Sequence, residues 1–175
     1  MAFNESTTSG EPAINAAEKI AEATTFADLP NLNDALKIVG SVEPQEMQNA
    51  LALLSEAVSK KAAEIMQKLA FELAERIAGC RDFTTLNSPD GFVAAIEAAV
   101  TYGLPTEEIK KLTDLVFVAR ADKQGILVLN FAHEAAQRGL SGYQLMQECN
   151  QAGMTFQQAA EVDVLVRKYG VGQEV

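Results

Sequence analysis

The sequence predicts an all-α fold: a helical bundle with one long central helix, about residues 44–78, and a C-terminal set of short, tightly connected helices. Three observations predict it. Alanine, leucine, glutamate, glutamine and lysine, the strong helix formers, dominate the 175 residues. No stretch alternates polar and apolar residues long enough for a half-buried strand. Glycines stand mostly at points where an apolar periodicity stops, as helix-ending residues do. The short β-like run Leu115-Val116-Phe117-Val118 lies inside a longer helical pattern and is read as helix.

Taken in order, residues 1–11 are polar and rich in Ser, Thr and Gly, and are expected to form an N-terminal tail. Pro12 suits a first helical turn, where its missing N–H costs nothing, and an apolar face with Ile14 and Ile20 runs on to about Phe26. After Pro30 a short helix carries Leu32, Leu36, Ile38 and Val39, closed by Gly40. The longest pattern runs from Pro44 to Ala78, with Gly79 behind it, and residues 12–79 make an N-terminal set of helices.

Along that pattern Met47, Leu51, Leu54, Val58, Ala62, Ile65, Leu69, Leu73 and Ile77 recur at steps of three and four. Such a stripe, close to an 11-residue repeat, stays nearly straight on a helix. At 1.5 Å per residue the rod is roughly 50 Å long, more than a compact domain of this size requires. A second set, Ala50, Leu53, Ala57, Ala63, Ala70, Phe71 and Ala74, widens its apolar surface, while Lys60 and Lys61 keep the centre of that second face wet. Met47, Leu51, Leu53, Leu54, Val58, Ile65, Leu69 and Leu73 are therefore the candidate interface residues.

Cys80 to Asn87 is irregular, and Ser88-Pro89-Asp90 opens a helix ending at Tyr102. One junction then recurs: Gly103-Leu104-Pro105-Thr106, Gly139-Leu140-Ser141-Gly142 and Gly153-Met154-Thr155-Phe156. In each, a glycine ends a helix, an apolar residue turns inward and a Ser or Thr stands ready to cap the next helix. Ser141 with Gln144 and Thr155 with Gln158 match the reciprocal capping pattern. Asp122 reads as the cap of a further helix reaching Arg138, and Gly170 ends the last one, with Val171 to Val175 fraying. Gly103, Gly139 and Gly170 bound two imperfect helical pairs, fewer than the three copies a solenoid requires. Residues 88–170 are read instead as a C-terminal subdomain packed as one unit with the helices before it.

Charge excludes several function classes. The net charge is −10, and residues 1–58 hold only Lys19 and Lys37 against nine acids. Nucleic-acid binding draws its affinity from clustered lysines and arginines, and the largest basic cluster is Lys60-Lys61 with Lys68. No uncharged apolar run approaches the ~20 residues that cross a bilayer, so no membrane insertion is expected. The opening residues lack the basic and apolar regions of a signal peptide, and two cysteines are too few for a disulfide framework, so a cytoplasmic address is expected.

The chemistry-bearing residues are sparse. Nucleophilic catalysis needs Cys80 or Cys149 beside His133, the only histidine. Cys80 follows a helix end, where the macrodipole opposes a thiolate, and Cys149 reads as core. His133 has Asn130 and Gln137 on its own helix face and no carboxylate within one turn on that face. There is no Cys-x-x-Cys, His-x-x-x-His or Glu-x-x-His metal spacing and no phosphate-cradling glycine loop. Glu72 and Glu75 form a solvated pair, and Glu107 and Glu108 answer the positive end of a helix. With Lys110, Lys111, Asp114, Arg120, Asp122 and Lys123 they belong to a mixed, solvated charged set. No enzyme activity, cofactor or metal is expected. The partner is the chain itself, as a homo-oligomer, or another protein; a structural or assembly role leads. The alternative is an adaptor that holds a partner helix in a groove of the 88–170 helices, with Leu140, Met146 and Met154 suited to line it.

Overall fold

The computed structural model describes residues 11–170; the polar tail expected over 1–11 (all but Glu11) and the fraying expected over 171–175 lie outside the described residues. Eight α-helices follow one another, with no strand among the described residues: α1 (Glu11–Ala21), α2 (Leu32–Gly40), α3 (Met47–Gly79), α4 (Phe83–Leu86), α5 (Phe92–Thr101), α6 (Thr106–Gln137), α7 (Gly142–Gln151) and α8 (Phe156–Gly170). A 3-10 turn, Phe26–Asp28, precedes α2. The long helix lies where the periodicity placed it, starting three residues later, behind a turn over Pro44–Glu46.

Two compact units divide the chain: residues up to Leu69 with Gly91–Leu112, and Ala70–Asp90 with Thr113 onward. Both long helices therefore continue from one unit into the other. In the first, α1 packs on α2 and α5 packs on the 3-10 turn. Tyr102, the C-cap of α5, stacks on Phe26 with centroids 6.0 Å apart, and its hydroxyl lies 3.2 and 3.3 Å from the carbonyls of Phe26 and Leu29. That ring fastens the 3-10 turn to α5. The turn is pre-formed by its own residues: the Asp28 carboxylate accepts from the backbone N–H groups of Thr25 and Thr24 and from both hydroxyls.

In the second unit Phe83, Val128, Ala132, Ala135, Leu145, Cys149, Ala159, Val162 and Val166 form one buried cluster. Phe131 meets Phe83 edge-on at 6.4 Å, and α7 packs on α8. The short α4, unforeseen in the irregular 80–87 stretch, carries Phe83 and Leu86 inward. Asp82 starts it, accepting from the backbone N–H and the hydroxyl of Thr85 at 2.7 and 2.8 Å.

The three glycine junctions share one geometry. Gly103, Gly139 and Gly153 have φ of 77°, 69° and 77°. The residue after each donates five residues back: Leu104 to Ala99, Leu140 to Ala135 and Met154 to Cys149, at 3.0–3.2 Å. This is the paired Schellman closure of a helix C-terminus. The caps that follow differ. Thr155 and Gln158 bond reciprocally, as the pattern requires. Ser141 sits at the N-cap with an extended backbone, but its hydroxyl makes no capping bond, and Gly142 follows with φ 51°. The helix expected from Ser88-Pro89-Asp90 begins only at Phe92, after Gly91.

The expected break at Asp122 is absent: α6 is a single helix of 32 residues. The span from Gly103 to Gly139 thus holds one long helix rather than two, and the C-terminal helices are not all short. An Asp is a start signal only when the residue before it leaves the helix. Nothing upstream of Asp122 forces that exit, since α6 contains no proline. An aspartate within a helix costs a fraction of a kcal/mol, less than burying the apolar residues on either side returns.

Candidate functional site

The eight interface candidates on α3 separate into two groups. Leu54, Ile65 and Leu73 are buried within the chain's own fold, and Val58 is half-buried. Met47, Leu51, Leu53 and Leu69 face solvent, with Leu51 48% and Leu69 37% exposed. Phe71, from the second apolar set, is 50% exposed. The reason lies in the rotation of the buried arc. At about 100° per residue, Leu54 and Ile77 stand about 140° apart around the axis, yet both are buried. The protein covers one side of α3 near its start and a different side near its end. The stripe therefore lies outside cover at Met47 and Leu51 and again at Leu69, while Leu54, Ile65, Leu73 and Ile77 are buried.

Two exposed lines remain on this helix. Leu51 and Leu69 are five helical turns apart, and so are Leu53 and Phe71 on a different face. Over its whole length the rod is electrically balanced: Lys60, Lys61, Lys68 and Arg76 offset Glu56, Glu64, Glu72 and Glu75. Lys61 pairs with Glu64 at 3.0 Å. Within the first unit a furrow of about 510 Å³ runs along small residues of α3, Ala52, Ser55, Ser59 and Ala63, toward Pro105 and Glu108.

In the second unit an apolar groove of about 630 Å³ lies between α6 and α8. Gly125, Val128 and Leu129 line it from α6, and Gln157, Ala160, Glu161, Val164 and Leu165 from α8. Of the residues expected in such a groove, Met146 and Met154 are not among its lining. Leu140 lines a separate recess of about 410 Å³ with Ala136, Gly139, Val166 and Gly170.

A polar cluster that the sequence did not announce ties α4 to α8. Gln158 is buried, and its amide donates to Asn87 and Gln124 at 3.1 Å each. Asn87 donates in turn to Gln158 and to the Gly153 carbonyl at 2.9 Å. Arg120 grips the Asp90 carboxylate and donates to the Leu86 carbonyl at 3.0 Å, so it leaves the solvated charged set. Every buried side-chain polar atom among the described residues has a partner. A network so satisfied holds loops in place and leaves no group poised for chemistry. Each of these bonds joins residues 30 or more apart along the chain, beyond any local motif.

Both thiols are free and buried. Cys80 donates to the Arg76 carbonyl at 3.4 Å, while burial pushes the Cys149 thiol above its ordinary pKa. His133 is exposed, 2.9 Å from the Gln137 side-chain nitrogen and edge-on to Tyr169. Among the described residues no three His, Cys, Asp or Glu side chains gather as a metal would require, and no helix is long and apolar enough to cross a membrane. Comparison with protein families, characterised proteins and solved structures gives no match.

Proposed function

We propose that this chain is a non-enzymatic structural subunit that associates with copies of itself through helix packing, using the uncovered faces of α3. The observation that carries this reading is the pair of exposed apolar lines, Leu51 with Leu69 and Leu53 with Phe71, on a rod whose own charges cancel. A chain of net charge −10 repels its copies overall, and a neutral rod is where that repulsion is least. Burying a half-exposed leucine contributes about 1 kcal/mol. Several such residues repeated across a symmetric contact reach micromolar association, and two faces allow growth beyond a dimer.

Light scattering at micromolar concentration tests the reading. The wild-type chain is expected to be oligomeric, and Leu51→Glu with Leu69→Glu to lower its mass to that of a monomer while leaving its helical circular dichroism unchanged. A wild-type chain that stays monomeric as its concentration rises contradicts the assembly role.

A second reading is favoured by the α6/α8 groove: an adaptor that holds a partner helix there. Its walls are apolar and its volume is in the range of ligand-binding clefts. Apolar walls between two helices suit anchors spaced at three, four and seven residues.

A further inference from the structure

Gly125 sits in the interior of α6, where glycine is among the poorest helix formers. Neither of the usual internal reasons for it applies. Its backbone is not left-handed, and a Cβ placed there meets nothing within 4 Å. It lines the groove instead, with Val128 and Leu129 a turn further along α6 and with Ala160, Val164 and Leu165 of α8. The absence of a side chain keeps the groove open for something outside the chain.

We propose that the groove holds an amphipathic helix of another protein, one that carries a lysine or arginine to meet Glu161. This rests on the adaptor reading above and adds the chemistry of the partner. Apolar walls between two helices offer no free backbone groups, so an occupant must satisfy its own N–H and C=O groups, which a helix does and an extended strand does not. The lining of α8 runs from Gln157 to Leu165, a track of about 12 Å, enough for apolar anchors on two or three turns. The charge at the rim selects the sign. Among the described residues Glu161 meets the side-chain amides of Gln124 and Gln157, both at 3.4 Å, and no cation. A second copy brings the same carboxylate and a net charge of −10. A basic helix brings the missing cation, and is drawn toward the chain from a distance.

The test uses the full chain and two labelled four-turn peptides with leucines at the anchor spacings, one with lysine and one with glutamate at the remaining positions. Fluorescence anisotropy is expected to show the Leu/Lys peptide binding and the Leu/Glu peptide not. Gly125→Leu, at a position where a Cβ meets nothing within 4 Å, is expected to weaken binding by about tenfold or more with circular dichroism unchanged. Val164→Glu repeats the block from α8 at an exposed position. Glu161→Gln is expected to weaken binding a few-fold and to flatten its salt dependence. Three results overturn the proposal, each for a different reason. If neither peptide binds, the adaptor reading itself falls. If the Leu/Lys peptide binds equally to wild type and Gly125→Leu, it is held elsewhere on the acidic surface. If both peptides bind and Gly125→Leu blocks both, the groove is a docking site whose partner is not basic.

Discussion

Gly153 does two things that no other residue type does at its position. Its φ of 77° closes α7, and it stands against α4 so closely that a Cβ would lie 2.5 Å from the Thr84 hydroxyl and 3.3 Å from the Thr84 backbone. Gly139 has the same backbone role with open space around it. Gly139→Ala is therefore expected to cost about 1 kcal/mol in denaturant unfolding, and Gly153→Ala at least about 2 kcal/mol, since the shift must also disturb the bond from Asn87 to its carbonyl. Equal losses at the two sites contradict the close approach. Asp82 acts by charge. The Thr85 backbone N–H, then its hydroxyl, hold the Asp82 carboxyl below its ordinary value of 3.8. A depressed folded pKa stabilises the native state above the ordinary value, and that contribution disappears as pH falls through the depressed one. Asp82→Asn is expected to lower stability at neutral pH and to reduce the loss on acidification. Urea midpoints measured from neutral pH to below about pH 4 check both effects.

The two long helices show what a periodic pattern conveys at the scale of an element. The leucine spacing located α3 within a few residues, because apolar side chains must recur about every turn for any side of a helix to be buried. It could not say which leucines are covered, because the covered side turns from Leu54 to Ile77. Leu54→Ala is expected to cost about 2–5 kcal/mol as a buried deletion, while Leu51→Ala stays within about 0.5 kcal/mol in dilute solution. Thermal unfolding of the pair distinguishes them, and a large loss at Leu51 contradicts its exposure. In α6 the local signal misled. Asp122 carries the residue type of a cap but not its backbone, and the apolar residues before and after it keep the helix continuous.

At the scale of the whole molecule, α3 and α6 each cross from one compact unit to the other. Helix propagation is cooperative, and a break within a helix exposes backbone groups on both sides of it. Unfolding is therefore expected as one transition, with far-ultraviolet dichroism and tyrosine fluorescence coincident in urea. Tyr102 reports the first unit, and Tyr143 and Tyr169 the second. Two separated transitions would show that the units unfold independently despite the shared helices.

The sequence by itself determined the helical class, the position of α3, the three glycine-closed junctions and the Thr155–Gln158 cap. All of these follow from interactions within about six residues, which composition and spacing encode directly. Only the tertiary structure decided that Leu51 and Leu69 face outward while Leu54 and Ile65 do not. The same holds for the partners of Gln158 and Arg120, and for the groove beside Gly125. Those outcomes depend on which distant segments meet, and burial is a property of the meeting rather than of the residue.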